Sequence, residues 1–418
     1  MSDTPAPGPP RKAAIAFIFF TVVLDVLSLG VIIPVLPRLV KDFVGGDTVE
    51  AAYIYGLFGT IWAFVHFFAS PIVGSLSDRV GRRPVIVSSN VGLGLDHVLM
   101  AVAPTLGWLL IGRVISGVMS ATISTAYAYI ADVVPPDKRA RLYGLLGAAF
   151  GLGFIVGPIF GGLLSTIDPR LPFWVAAGFN LANALYGFFV LPESLPAHRR
   201  TPFSWRRANP IGSLVLLRSE KGLLNLGLVH FFGQLAQYVL QSTFVLYAMY
   251  RYEWGEVKVS LTLAVFGLCN VIVQAGLVKP VVDWLGERGA LMLGLACGIV
   301  GFAILAFADK GAYFLLGAPF TSMWGVAGPA LQSLMTRRIS PSAQGQLQGA
   351  LSSIMSVAGM IGPVLFTQVF AYFISASAIV YLPGASFLLS TSILGVASVL
   401  AWNATRESSA PLQENDGR

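Results

Sequence analysis

Residues 142–162 read LYGLLGAAFGLGFIVGPIFGG, and residues 347–367 read LQGALSSIMSVAGMIGPVLFT. The two stretches align at an offset of 205 residues: Leu142, Gly144, Leu146, Gly157 and Pro158 fall on Leu347, Gly349, Leu351, Gly362 and Pro363. The same offset carries Asp78 to Asp283, Gly81 to Gly286, Arg83 to Arg288 and Gly112 to Gly317. So long a period exceeds a solenoid unit. Both stretches are apolar over the ~20 residues that cross a ~30 Å hydrocarbon core as a helix. The repeat therefore predicts duplicated blocks of membrane helices.

Composition around the repeat agrees. Of the 418 residues, 55% are hydrophobic and 11% charged. Soluble domains carry about 25% charged residues, and so few charges cannot cover a wet surface of this size. Only helices and closed barrels satisfy their backbone polar groups in lipid. The apolar blocks lack the alternation of barrel strands, so the fold class is all-α integral membrane. The net charge of +7 does not signal nucleic acid, because the basic residues sit in short loops. Cys269 and Cys297 both lie within apolar blocks. They read as small packing residues, and no metal ligand set is expected.

Twelve spans are expected, at about 13–36, 50–76, 84–104, 107–132, 139–165, 171–191, 220–249, 256–282, 288–308, 311–337, 343–373 and 379–402. This gives a tail 1–12, a six-helix bundle 13–191, a basic linker 192–219, a second bundle 220–402 and a tail 403–418. The first span is too long for a signal-peptide core and is expected to be retained. Loops holding Arg79, Arg82, Arg83, Lys138, Arg139, Arg141, Arg206, Arg207, Arg218, Lys279, Arg288, Arg337 and Arg338 far outweigh the opposite set in Lys and Arg. The richer side is expected to be cytoplasmic, with both termini on it. Six spans per half give both halves one orientation, the parallel arrangement about the membrane normal.

The loop after the second span reads Gly74-Ser75-Leu76-Ser77-Asp78-Arg79-Val80-Gly81-Arg82-Arg83-Pro84. Glycines allow the tight turn, and an acid among bases points beyond simple anchoring. An Arg82–Asp132 pair would lock neighbouring helices in one state. The fifth span carries Gly157 and Pro158 among glycines spaced near four, which lets helices approach closely. Pro158 favours a bend. The span either packs tightly or rocks to seal a cavity.

Asp25, His66, Asp96, His97, Arg113 and His230 are the ionisable residues well inside spans. A charge at mid-membrane costs about 3 kcal/mol even on the lenient scale, so these groups face water or one another. Asp25 and Asp96 with Arg113 form either a proton-coupling set or a static buried ion pair. Neither Asp96 nor Arg113 recurs at the offset, where Gly301 and Ala318 stand. Charge chemistry is therefore expected in the first half alone. The buried amides Asn90, Gln234, Gln274 and Gln332 either bridge helices or line a cavity. His66 is open to substrate, proton or packing roles; His97 points about 100° away from Asp96 around the helix, which favours packing.

These segments resemble the major facilitator superfamily. The loop at Asp78 is similar to its GxLSDRxGRRP signature, and Gly112-Arg113-Val114-Ile115-Ser116-Gly117 to its fourth-helix motif. Gly153 to Gly162 resembles the fifth-helix motif of exporters. Leu24-Asp25, Pro34-Val35-Leu36-Pro37, Leu95-Asp96, Pro329-Ala330-Leu331-Gln332 and Gln344-Gly345-Gln346-Leu347-Gln348-Gly349 extend the resemblance to the twelve-helix tetracycline/proton antiporters.

That resemblance implies an inner-membrane exporter of amphipathic organic compounds, tetracycline-like drugs among them, working as a monomer. It further implies alternating access by a rocker switch, with the proton gradient as energy source and no cofactor. It places functional acids at Asp25 and Asp96, and path-lining glutamines at Gln234, Gln274 and Gln332. His66 stands where the group commonly has glutamine. The group carries a further acid in the ninth span, where this chain has Gly298. A facilitator or importer without obligatory proton exchange is the alternative. Neither a phosphate-binding glycine loop nor a catalytic constellation is present in the sequence, so no enzyme is expected.

Overall fold

The computed structural model describes residues 12–120, 122–134, 152–153, 155–202, 222–339 and 344–406. Among these, every regular element is helical. In chain order they are α1 Lys12–Ile32, α2 Leu36–Phe43, α3 Thr48–Val80, α4 Arg82–Val102, α5 Leu106–Met119, α6 Thr122–Val133, α7 Ile155–Ser165 and α8 Leu171–Val190. There follow α9 Leu223–Ser242, α10 Phe244–Tyr252, α11 Glu256–Ile272, α12 Val278–Phe307, α13 Gly311–Met323, α14 Ala327–Thr336, α15 Gln344–Ile374 and α16 Ala385–Arg406. Nine helical runs among the described residues are long and apolar enough to cross a membrane. The chain is thus an all-α integral membrane protein.

Several boundaries differ from the sequence reading, each for a local reason. The first span stops at Ile32, because Pro34 and Pro37 withhold backbone donors; the chain turns and restarts as the short amphipathic α2. The last span starts at Ala385 rather than near 379. The eighth and ninth spans follow each other without a loop, and the non-helical backbone of Gly286, at φ 68°, ψ 171°, separates one helix from the next. A π-turn at Val273–Leu277 widens the eighth span. Gly81 occupies φ 112° at the join of α3 and α4. Such a φ is open to glycine and strained for other residues, so the repeated glycines mark the same turn in both halves.

The chain forms two compact units. One is Met1–Asn209 with Ala248–Gly267; the other is Pro210–Tyr247 with Leu268–Arg418. In the first, Ile18, Val22 and Val26 of α1 pack on Ile86 of α4, Tyr129 and Ile130 of α6 and Leu191. Helices α1 and α7 meet through glycine: a Cβ on Gly157 would lie 2.7 Å from the Gly30 Cα, and one on Gly153 would lie 2.6 Å from Val26. Arg38 in α2 pairs with the buried Glu256 at the start of α11, within this same unit.

In the second unit, Phe244, Tyr247, Phe314, Phe370 and Phe387 build an aromatic core with centroids 5.0–6.2 Å apart. Its Gly362 presses on Tyr238 of α9, where an added Cβ would lie 2.5 Å away. Each Gly-Pro glycine therefore packs against the leading long helix of its own unit.

Gly144, Gly147 and Gly151, the basic loop Lys138, Arg139 and Arg141, and the linker arginines Arg206, Arg207 and Arg218 lie outside the described residues. So do the two tails beyond Lys12 and Arg406.

Candidate functional site

The loop at Asp78 closes into a charged hub within the first unit. Gly81 lets α4 begin one residue after α3 ends, which brings Arg82 back over the last turn of α3. Its guanidinium then meets Asp78 at 2.6 Å, Asp132 of α6 at 3.1 Å, and the Ser77 hydroxyl. The expected Arg82–Asp132 contact is present, and Asp78 shares the same cation. Arg83 donates to the Phe188 carbonyl and lies 5.7 Å from the Phe188 ring centre, a cation–π distance. Gly74 supplies the carbonyl that Ser77 binds at 2.7 Å.

A residue that the sequence reading assigned only to the linker completes this hub. Glu193 accepts from the backbone amides of Arg82 at 2.8 Å, Arg83 at 3.3 Å and Leu195 at 3.0 Å. It caps α4 from outside, satisfying first-turn amides that a helix leaves orphaned and placing its charge at the positive end of the dipole. Ser194 donates to Asp132 at 3.1 Å, and Tyr129 donates to the Pro192 carbonyl at 3.0 Å. An added Cβ on Gly81 would collide with the Glu193 carboxylate. The signal was legible: Glu193 is an acid beside a basic stretch, the same anomaly that singled out Asp78.

Glu193→Ala is expected to lower stability by about 2 kcal/mol, from the lost cap and its charge-assisted bonds. Glu193→Gln, which keeps one acceptor, should lose less. Thermal melting of both purified variants checks the order; equal melting of Ala and wild type would refute the capping role.

The buried acids sit deeper in the same unit. Asp25 of α1 is 9% exposed and Asp96 of α4 is fully buried. Among the described residues, none of their four carboxylate oxygens accepts a hydrogen bond of normal length and angle. No ion pair among the described residues includes Asp25. Arg113 of α5 approaches Asp96 at 3.9 Å, beyond hydrogen-bond range; the same Nη2 donates to the Met100 sulfur at 3.1 Å, and its Nε has no partner among the described residues. The pair is loose rather than locked.

Beside Asp25 runs a buried amide chain. Thr21 donates to Asn183 at 3.1 Å, and Asn183 donates to Asn90 at 3.0 Å. Asn90 in turn donates to the Ile86 carbonyl at 3.0 Å. It is fully buried, its amide oxygen engaged by α8 and its amide nitrogen by its own helix. Asn180, one turn before Asn183 on α8, meets the His97 ring nitrogen at 3.2 Å. Asn180 and Asn183 were not singled out from sequence; two asparagines at i, i+3 in an apolar helix mark a shared polar face.

His66 stacks on Trp62, with centroids 5.2 Å apart and 2° between planes, and its Nδ1 lies 3.3 Å from the Gly117 carbonyl. In the second unit, Gln274 sits on the exposed face of the π-turn and donates to the Gly325 carbonyl at 3.1 Å. Gln332 is exposed on α14, and Gln234 is half-buried on α9. Gly298 has no room for a side chain, since an added Cβ would lie 2.7 Å from Leu394 and 2.9 Å from Trp324. Among the described residues, no cluster of three His, Cys, Asp or Glu side chains is placed to hold a metal.

The repeat positions show how the halves differ. An added Cβ on Gly112 would lie 2.6 Å from the Asp96 carboxylate. One on its counterpart Gly317 would lie 3.3 Å from the carbonyl of Gly301, the counterpart of Asp96. The same helix crossing thus holds an acid in one unit and bare backbone in the other.

Residues 18–363 match the Major Facilitator Superfamily. The tetracycline resistance protein of class C from Escherichia coli is 37% identical over 358 residues, which cover 86% of this chain and 90% of that protein. The class G protein from Vibrio anguillarum is also 37% identical, covering 83% and 88%. Among solved structures, a D-xylose-proton symporter superposes with a TM-score of 0.76 at 17% identity, covering 93% of this chain and 97% of that one. The human organic anion transporter MFSD10 gives 0.70 at 23% identity, covering 94% and 100%.

Proposed function

The chain belongs to the Major Facilitator Superfamily and is a membrane transporter rather than an enzyme, and from that premise we propose that it is a proton-coupled antiporter exporting amphipathic organic compounds. Tetracyclines are the first candidates, in view of the tetracycline resistance proteins it resembles across most of its length. The proposed topology is twelve spans in two six-span halves, monomeric in the inner membrane with both termini cytoplasmic. The carrying observation is the pair of buried acids, Asp25 and Asp96, whose oxygens accept no hydrogen bond of normal geometry among the described residues. A permanently ionised carboxylate so placed is costly unless paired. An acid that takes up and releases a proton as its surroundings change avoids holding that charge throughout the cycle.

In this reading Asp25 and Asp96 carry protons, and Arg113 acts on Asp96 through its loose approach. His66, Gln234, Gln274 and Gln332 supply polar contacts to substrate, while Asn90 acts through the amide chain beside Asp25. Gly74, Asp78, Gly81, Arg82, Arg83 and Asp132, with Glu193, form a latch that holds one conformation. Gly157 and Pro158 give the close packing on which the helices pivot.

One observation favours a second reading, a facilitator without obligatory proton exchange. Gly298 stands where the resembling antiporters carry an acid, and Trp324 and Leu394 fill the space beside it. Purified chain in liposomes separates the two. Tetracycline accumulation should follow an imposed pH gradient and stop when an ionophore collapses it. Equal transport without the gradient would sink the antiport reading.

A further inference from the structure

We infer that the loop end of α12 and α16 is a binding site for the phosphate headgroup of an anionic phospholipid. Two guanidinium groups converge there on one indole: Arg288 lies 4.8 Å and Arg406 5.0 Å from the Trp402 ring centre. Both distances are within cation–π range. The two like charges thus lie no farther apart than the sum of those two distances, and their fields add at this helix end, which draws an anion.

The protein itself does not supply that anion among the described residues. Their ion pairs include neither Arg288 nor Arg406. The adjacent acid, Glu287, is taken by Arg337 at 2.7 Å and by the Ser333 hydroxyl. The terminal carbonyls of α16 draw cations too, yet Arg338 already donates to the Ala404 carbonyl at 2.8 Å. The first unit offers a control at the repeated position. Its Arg83 also lies against an aromatic ring, but alone and with a backbone carbonyl as acceptor.

The surroundings select a lipid over free phosphate. Val396, Val399 and Trp402 follow one another at helical spacing on α16 and are 49%, 62% and 43% exposed. They form an apolar stripe leading from the two arginines toward the middle of the span. A phosphate held at the arginines would lay its acyl chains along that stripe, with the indole at the headgroup level that tryptophan favours. Basic pockets between spans bind anionic headgroups, at about 1 kcal/mol for each basic residue.

The test uses native mass spectrometry of the full chain in detergent micelles with added cardiolipin, phosphatidylglycerol or, as neutral control, phosphatidylcholine. Wild type should retain the anionic lipids preferentially. The double variant Arg288→Gln/Arg406→Gln should bind them roughly twenty- to thirty-fold more weakly, with phosphatidylcholine unchanged. Arg406→Gln alone, at an exposed helix end, should give part of the loss and covers the event that the double variant does not fold. Undiminished retention in Arg406→Gln and the double variant would overturn the site. Displacement of lipid by inorganic phosphate would assign it to a free anion instead, which also overturns the inference. A chain ending at Arg406 lacks the tail acids Glu407, Glu414 and Asp416. Its lipid retention should equal that of wild type; retention appearing only after this truncation would mean that the tail occupies the site.

Discussion

Replacing Asp25 with asparagine is expected to reduce pH-gradient-driven transport to the level of protein-free liposomes while the protein still folds. The two side chains have nearly the same shape, so packing in α1 is kept. What changes is the ability to carry a proton. The wild-type carboxylate is 9% exposed, and among the described residues neither oxygen accepts a hydrogen bond of normal geometry. Among them asparagine therefore breaks no ion pair and no well-formed hydrogen bond, and melting should move by no more than a few degrees. Exchange of labelled substrate between the two sides, which needs no net proton movement, should persist. Asp96→Asn should act in the same direction, but it also leaves Arg113 without its only acidic neighbour among the described residues. It is thus the less clean of the two variants. Gradient-driven accumulation that survives in Asp25→Asn would remove the residue from the coupling mechanism.

The second large effect concerns folding. Gly157→Val is expected to destabilise the first unit by about 3 kcal/mol or more, at the upper end of overpacking costs. The added Cβ would lie 2.7 Å from the Gly30 Cα and 2.9 Å from its carbonyl carbon. Both are backbone atoms, so no rotamer change relieves the clash, and α1 must leave α7. Because α1 also carries Asp25, transport should fall together with stability. Gly178→Ala is the matched control. Nothing lies within 4 Å of its Cβ position, and alanine favours the helix by about 0.5–1 kcal/mol. Size-exclusion profiles and melting curves of the two variants should diverge in opposite directions from wild type. A Gly157→Val protein as stable as wild type would show that the approach of α1 and α7 has slack.

Much of this was legible in the sequence because the bilayer narrows the choices. Long apolar blocks must be helices, and a charge inside one is visible against its surroundings. That is why Asp25, Asp96, Arg113 and the Arg82–Asp132 contact could be singled out. The residues that were missed share one property: their role depends on a partner distant in the chain. Glu193 looks like a linker acid until Gly81 turns the amides of Arg82 and Arg83 toward it. Asn183 looks like one more polar residue until α8 packs between Thr21 and Asn90. Helix interruptions were also hard to read, since the π-turn at Val273–Leu277 leaves no breaker in the sequence except Gly276. The bend at Gly286, by contrast, was announced by its repeat at Gly81.

The crossing at Gly317 and Gly301 also bears on which substitutions the chain can accept. In the second unit the two helices close over the place that the acid takes in the first. A Cβ on Gly301 would lie 2.7 Å from the backbone nitrogen of Thr321. A single Gly301→Asp change would therefore need both helices to separate before the carboxylate fitted. The two directions of change are therefore unequal: removing an acid from such a crossing needs no backbone movement, whereas placing one between backbones that already touch does.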